Sequence, residues 1–349
     1  MATLLLTGGG TAGHCTPNLA IIPYAEKFFD KIYYIGSEHG IEKNIIEGAG
    51  IPYFSVPCAK LNRSLTLKNL SIPFKVLSGI HEAGKIIDKL NPDVVFSKGG
   101  YVSVPTVIAA HRRKIPVIAH ESDYTVGLAN KITSRYCKKV LTSFPHTAEE
   151  LKNGQYVGSP LRKELFSTKK EEALKKFGFS GEKPIILITG GSQGAQAINQ
   201  AVSEAISELL PKFDIIHICG KNNSNGIRKK GYYQAEYLND IENAFAAADV
   251  CVTRAGSNTL FELMSLKKPC VLIPLPKGVS RGDQILNARY FQKLGLSFLL
   301  TQDTLTTDSL IFAITSTYAN RYNILRNFAK HPITDASSKI AEIIADYRR

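Results

Sequence analysis

The sequence predicts an α/β protein made of two Rossmann-like domains, each with a parallel sheet, facing each other. Three observations predict it. Short apolar runs recur, each followed by a helical pattern, and a strand that is apolar at every position is buried on both faces, as in a parallel sheet covered by helices. The order run, glycine cluster, helix occurs twice, at Thr7-Gly8-Gly9-Gly10-Thr11-Ala12-Gly13 and at Thr189-Gly190-Gly191-Ser192-Gln193-Gly194-Ala195. Finally, 349 residues exceed the size at which one core usually stops growing.

In chain order, the first half offers strands at Leu4-Leu5-Leu6, Ile32-Tyr33-Tyr34-Ile35, Val94-Val95-Phe96 and Val117-Ile118-Ala119. A boundary is expected near Gly158-Ser159-Pro160, where Gly and Pro punctuate the chain, giving domains 1–160 and 161–349. After the charged stretch Lys169 to Lys183 the grammar restarts at Ile185-Ile186-Leu187-Ile188 and continues through Ile215-Ile216-His217-Ile218, Val250-Cys251-Val252 and Val271-Leu272-Ile273. From about Ser309 to Arg349 the pattern is helical, and the last helix, Ala336 to Tyr347, is expected to pack back on the first domain.

Hydrophobic residues make up 44% and charged residues 21%, which argues against long disordered regions. A net charge of +13 favours anionic partners without choosing among nucleic acid, phosphates and acidic lipid. No interleaved basic and aromatic motif appears, so nucleic acid is disfavoured. The six cysteines are scattered, without CxxC pairs, and fit a reducing compartment. No DxD and no cluster with metal-ligand spacing occurs, so neither a metal nor another cofactor is expected. Thr3 to Thr7 follows Met1 with no basic stretch or small-residue cleavage site, and no apolar run approaches the ~20 residues that cross a bilayer. Any membrane contact is therefore expected from outside.

The chemistry is expected on the loops. A glycine cluster between strand and helix lets backbone N–H groups approach an anion, and the helix N-terminus adds favourable partial charge. The same glycines can simply make a tight turn, but two such loops in register, with a third at Ser97-Lys98-Gly99-Gly100-Tyr101-Val102-Ser103, favour phosphate binding. Gly8, Gly10 and Gly13 also satisfy GxGxxG, yet the nearest acidic residue for an adenosine ribose, Glu38, comes later than a dinucleotide site prefers. His14 stands at a helix start as a candidate base, and His120-Glu121 ends an apolar strand at the carboxyl edge where open sheets place ligands. In the second half, Arg254 to Glu262 places hydroxyl, amide and carboxylate groups after a strand, with Glu262 suited to two ribose hydroxyls, and Arg281-Gly282-Asp283-Gln284 suits a sugar. Arg162 is a candidate partner for diphosphate charge.

From about residue 3 to about residue 345 these features closely resemble the MurG family of UDP-N-acetylglucosamine:lipid-linked MurNAc-pentapeptide N-acetylglucosaminyltransferases. The resemblance rests on Gly9-Gly10-Thr11-Ala12-Gly13-His14 with Pro17, Gly99-Gly100-Tyr101, His120-Glu121, Gly127 to Lys131, and Gly158-Ser159-Pro160-Leu161-Arg162. Gly190 to Ala195, Arg254-Ala255-Gly256 with Glu262, and Gln284 with Asn287-Ala288 complete it. It implies a GT-B architecture, the two domains facing across a deep cleft, with the second binding UDP-GlcNAc and the first receiving the lipid-linked MurNAc-pentapeptide. The implied donor residues are Ser192 and Gln193 at the diphosphate, Leu238 against uracil, Ser257, Asn258, Thr259 and Glu262 at the nucleoside, and Asp283 and Gln284 at GlcNAc. Thr11, Gly13, Asn130 and Arg162 are added to that set from the first half. On the acceptor side it implies Gly10, Gly100, Tyr101 and Asp123, with His14, Glu121 and His120 as the catalytic candidates. The implied reaction inverts the anomeric carbon and belongs to peptidoglycan synthesis at the cytoplasmic face of the bacterial membrane. Two departures bear on specificity: His120-Glu121-Ser122-Asp123 stands where His-Glu-Gln-Asn is common, and Asp283 where His or Gln is common.

Two basic segments, Lys60 to Lys75 with interleaved apolar residues and His111-Arg112-Arg113-Lys114, suit contact with an anionic inner-membrane surface. A UDP-GlcNAc 2-epimerase, a transferase acting on another lipid-linked acceptor and a non-catalytic sugar-nucleotide binder stay open as alternatives.

Overall fold

The computed structural model describes residues 1–59, 72–191 and 194–349. The chain forms two compact units, Met1–Arg162 together with Thr334–Arg349, and Lys163–Ile333. The junctions thus fall just past Pro160 and again before the last helix.

The first unit alternates strand and helix: β1 (Thr3–Thr7), α1 (Thr16–Ala25), β2 (Lys31–Ser37), α2 (Ile41–Gly48), β3 (Tyr53–Val56), α3 (Ile72–Leu90) and β4 (Val94–Ser97). It continues with α4 (Ser103–Arg112), β5 (Val117–Glu121), α5 (Leu128–Thr133), β6 (Lys139–Thr142), α6 (Pro145–Glu149) and β7 (Gly154–Tyr156). The seven strands pair in parallel in the order β3-β2-β1-β4-β5-β6-β7, with Leu5 of β1 opposite Tyr33 on one side and Val95 on the other. All five residues of β1 and of β5 are buried, as expected of strands covered on both faces. The strands that the apolar-run criterion passes over include β3 and β7, which lie at the sheet edges and are only partly buried. An edge strand has one neighbour and needs no unbroken apolar run.

The second unit repeats the plan with α7 (Lys170–Phe177), β8 (Ile185–Thr189), α8 (Gln196–Leu209), β9 (Asp214–Ile218), β10 (Tyr232–Ala235), α9 (Ile241–Ala247) and β11 (Val250–Thr253). Then follow α10 (Ser257–Ser265), β12 (Cys270–Leu272), α11 (Asp283–Lys293), β13 (Ser297–Leu299), α12 (Thr307–Ala319) and α13 (Arg321–Lys330). Its six parallel strands run β10-β9-β8-β11-β12-β13. A Thr306/Ser309 capping box starts α12, whose Leu310, Ala313 and Ile314 join the core around β8 and α8.

The last helix, α14 (Ser337–Asp346), belongs to the first unit. Its Ile340, Ala341, Ile344 and Ala345 recur at helical spacing and bury against the cluster containing Ile21, Ile22 and Ala25 of α1. Asp335 fastens its start, accepting from the amides of Leu161 and Ser337 at 2.9 Å each and from the Tyr24 hydroxyl at 3.2 Å.

The basic segment Lys60 to Lys75 lies mostly outside the described residues; of its end, Phe74 is 75% exposed on the first turn of α3. In the other basic segment, Arg113 folds onto α3 and pairs with both oxygens of Asp88 at 2.5 and 2.7 Å. Gly84 makes room for it, since a Cβ there would lie 2.5 Å from the guanidinium. Among the described residues no helix is long and apolar enough to cross a membrane.

Candidate functional site

Each sheet reverses direction of winding once, between β1 and β4 in the first unit and between β8 and β11 in the second. Open α/β sheets bind ligands beyond the carboxyl ends of the strands at that point. Gly10, Thr11, Gly13, His14, Gly100 and Tyr101 stand there in the first unit, and Ser257, Asn258, Thr259 and Glu262 follow β11 in the second.

In the first unit the loops after β1 and β4 interlock through glycines. Gly100 (φ +80°) lies against Gly9, so that a Cβ would stand 2.2 Å from the Gly9 carbonyl oxygen, and one on Gly10 (φ +87°) would meet the Tyr101 ring at 2.5 Å. Gly13 and His14 complete the single 3₁₀ turn before α1. The half-buried His14 places Nδ1 2.8 Å from the hydroxyl of exposed Thr11. The geometry therefore brings Gly10, Thr11, Gly13, His14, Gly100 and Tyr101 into one neighbourhood.

At the end of β5, Glu121 is buried and accepts three donors: the amides of Asp123 (3.1 Å) and Gly127 (2.8 Å) and the side-chain amide of Asn130 (2.9 Å). Burial, and then the neighbouring Asp123 charge, push its pKa up, while the three donors favour the ionised form. Asn130 reaches the β4 loop as well, since a Cβ on Gly99 would lie 3.0 Å from it. His120 is wholly buried; its Nε2 lies 3.0 Å from the Gly158 carbonyl and so carries the donated proton, leaving Nδ1 without a hydrogen-bond partner among the described residues. Burial and the nearby Lys98 hold its pKa well below the usual imidazole range, so the ring stays neutral. Arg162 ends the first of this unit's two chain segments, next to the pinned Leu161.

Two residues given no role by sequence reasoning are built into this site. Glu42 of α2, fully buried, accepts from the Gly10 amide at 3.1 Å, from the Ser37 amide at 3.1 Å and from the Ser37 hydroxyl. A carboxylate thus occupies the underside of the first glycine loop and takes one of its amides. Lys98, 2% exposed, directs its ammonium to the Ser122 hydroxyl. The signal for Lys98 was its place directly after an apolar strand run; Glu42 had none, because one Glu in a helical pattern reads as solvated.

In the second unit the loop after β8 is built differently. Gly191 (φ +85°) donates to the Thr189 hydroxyl at 3.3 Å and Gly194 (φ +74°) to the Gly191 carbonyl at 2.9 Å. Among the described residues no carboxylate is hydrogen-bonded to its glycines. Ser192 and Gln193 lie outside the described residues. After β11, Gly256 leads into α10, where Leu260, Phe261, Leu263 and Met264 face the core. Asn258 and Thr259, four and three residues before Glu262, are consequently left with it on the partly exposed face, with Ser257 buried at the helix start. The Arg254 guanidinium donates to the Ile273 carbonyl at 3.1 Å and joins the β11 and β12 ends. Gly282 (φ +83°) turns the chain into α11, which begins with Asp283, 3.9 Å from Arg281. Gln284 accepts from the Leu275 amide at 3.0 Å, so its oxygen holds the β12 loop. Leu238, half-buried, follows β10 at the same carboxyl edge.

Residues 4–142 match the family model described as glycosyltransferase family 28 N-terminal domain, and residues 185–345 that of the family 28 C-terminal domain. A Clostridium botulinum (strain Hall) protein named UDP-N-acetylglucosamine--N-acetylmuramyl-(pentapeptide) pyrophosphoryl-undecaprenol N-acetylglucosamine transferase is 48% identical over 354 residues, covering 100% of both chains. A protein of the same name from Lachnospira eligens is 46% identical over 353 residues, covering 99% of each. Among solved structures, Acinetobacter baumannii MurG superposes with a TM-score of 0.77 at 24% identity, covering 99% of this chain and 100% of that one. A UDP-GlcNAc 2-epimerase from Neisseria meningitidis, bound to UDP-GlcNAc, gives 0.67 at 15% identity and 99% coverage of each. At these identities the solved structures speak for the fold alone.

Proposed function

We infer the reaction from membership: the chain belongs to glycosyltransferase family 28, and within it to the MurG family, whose GT-B fold of two parallel α/β units it has. It transfers GlcNAc from UDP-GlcNAc to the 4-hydroxyl of lipid-linked MurNAc-pentapeptide, the step from lipid I to lipid II in peptidoglycan synthesis. The observation that carries this is identity of 48% from end to end with relatives so named. The epimerase reading has only the shared fold behind it.

The two glycine loops support a division of labour. A diphosphate at the first loop would face the Glu42 carboxylate behind the Gly10 amide, whereas the loop after β8 leads into a 14-residue helix whose N-terminus favours an anion. The donor is therefore assigned to the second unit: diphosphate at Ser192 and Gln193, uracil at Leu238, ribose at Glu262 with Ser257, Asn258 and Thr259 beside it, and GlcNAc at Asp283 and Gln284. From the first unit, Thr11, Gly13, Asn130 and Arg162 are assigned to the donor set, and Gly10, Gly100, Tyr101 and Asp123 to the acceptor. His14 takes the proton of the attacking 4-hydroxyl as its oxygen bonds to C1 and the C1–O bond to UDP breaks, so the anomeric centre inverts and the electron pair leaves on the diphosphate. Glu121 and His120 shape the site rather than exchange protons: the one is saturated by three donors, the other buried and tied to Gly158.

Exposed Phe74 and Leu77 flank Lys75 on the first turns of α3, which supports peripheral contact with the anionic cytoplasmic face of the membrane. One assay tests both parts: labelled UDP-GlcNAc with the lipid-linked acceptor in anionic or neutral vesicles. UDP release that depends on the acceptor and is faster on anionic vesicles is expected. Consumption of UDP-GlcNAc without any lipid would favour the epimerase, and equal rates on both vesicles would remove the membrane surface.

A further inference from the structure

His217 interrupts β9, a fully buried parallel strand whose neighbouring positions hold Ile215, Ile216 and Ile218. Its side chain projects on the same side as that of Ile215, towards α8, and is 1% exposed. Taking an imidazole out of water is costly unless both of its nitrogens are met, and here both are. Nδ1 lies 2.8 Å from the Tyr232 hydroxyl, and Nε2 lies 3.0 Å from Oδ1 of Asn199 in the first turn of α8. Burial holds the pKa of the ring down to about 4, so the ring is neutral at neutral pH.

One backbone carbonyl decides how the hydrogens are arranged. The Cys219 carbonyl can only accept, so Asn199 turns its amide nitrogen to it, at 2.8 Å, and its oxygen to the imidazole. Nε2 then carries the hydrogen, and Nδ1 accepts from Tyr232. The ring thus fixes Asn199, and Asn199 fixes the peptide that ends β9. On that peptide rests the second glycine loop: a Cβ on Gly194 (φ +74°) would lie 2.1 Å from the Cys219 carbonyl oxygen and 3.0 Å from Cα of Gly220. Gly194 stands two residues before Gln196, the first residue of α8, where free amides favour an anion. The first glycine loop has Glu42 behind it, whereas the second is seated on a neighbouring strand. A leucine at 217 would fill the same space but leave the Asn199 oxygen without the ring, so packing alone does not explain the histidine.

We propose that His217 and Asn199 are positioning residues for the donor: by fixing the Cys219 carbonyl they set the place of the second glycine loop, and with it the amides that meet the diphosphate of the UDP-sugar. The proposal rests on the assignment of the donor to the second unit and specifies what holds the diphosphate end of that site in position.

The test compares two ligands on the full-length enzyme, UDP and uridine, which share the nucleoside and differ in the diphosphate. Asn199→Ala, at a half-buried position, removes the brace with little loss of core. UDP affinity is expected to fall about tenfold, on the order of one hydrogen bond to a charged group, while uridine affinity and acceptor KM stay within about twofold. At 217, glutamine can place an N–H where Nε2 stands, whereas the shorter asparagine reaches only the place of Nδ1. His217→Gln should therefore keep most of the UDP affinity and His217→Asn should lose as much as Asn199→Ala, a difference that lost packing does not produce. Unchanged UDP affinity in Asn199→Ala, equal weakening of UDP and uridine, or a His217→Gln variant as weak as His217→Asn would each overturn the proposal. Glu262→Ala keeps the two failures distinct: as the ribose partner it should weaken both ligands, and if neither responds it is the donor assignment that falls.

Discussion

Whether His14 can act as a base depends on which ring nitrogen carries its proton, and one neighbour sets that. If the Thr11 hydroxyl accepts from Nδ1–H across their 2.8 Å contact, Nε2 carries no hydrogen and is the nitrogen that can take a proton. Removing the ring should lower kcat by about 10²- to 10⁴-fold, the range for loss of a general base, with KM for UDP-GlcNAc little changed. Thr11→Val keeps the ring and loses its orienting hydroxyl, so kcat should fall by a smaller factor. Initial rates at saturating substrates separate the two, and near-normal turnover of His14→Ala would dispose of the base assignment. The sequence singles out His14 because a histidine at a helix start beside a glycine loop has a chemical reason to be there. Glu42 carries no such signal, and Lys98 only its place directly after an apolar strand run. A charged side chain in a strand-and-helix pattern reads as surface until the fold shows that it is buried, and its partners, Ser37 and Gly10 for one and Ser122 for the other, come from different elements.

Between elements, the site depends on how closely the loops after β1 and β4 approach. Gly100 meets two demands at once, a left-handed backbone and a neighbour that leaves no room for a Cβ. Gly226 in the second unit meets only the first: its φ is +68° and none of the described residues comes within 4 Å of the Cβ it lacks. Alanine at either position should cost roughly 1–2 kcal/mol for the left-handed conformation. At Gly100 the collision with the Gly9 carbonyl adds to that, and the shift it forces moves Gly10 and Tyr101. Urea unfolding should therefore show the larger drop for Gly100→Ala, accompanied by lost turnover, while Gly226→Ala stays active; equal midpoints would mean that the loops are not interlocked. The glycines themselves are plain in the sequence. Which of them are there for space and which for backbone conformation depends on the partner loop, some 90 residues away, and single-sequence patterns do not report that.

At the scale of the molecule, the first unit is closed by the end of the chain. Ile340 and Ile344 are fully buried against α1, and Asp335 ties Tyr24 and Leu161 together from positions 311 and 174 residues away in sequence. The sequence shows that a last helix exists and where it lies to within a residue or two, because its apolar spacing is local; contacts of such separation carry no periodic signal. Burying two isoleucines contributes on the order of 3–6 kcal/mol, comparable to the whole stability of many domains. A chain ending at Ile333 should consequently lose protection from hydrogen exchange throughout β1, β2 and β4, whose inward residues share that cluster with α14. The second unit closes its own core without it, so the truncated chain should still bind UDP while failing to use the acceptor. Ile344→Ala is the milder form of the experiment, with an expected cost of about 2–5 kcal/mol. If exchange in β1 were unaffected by the truncation, α14 would be an ornament on a finished core; if UDP binding were lost along with it, the donor site would not be the property of the second unit.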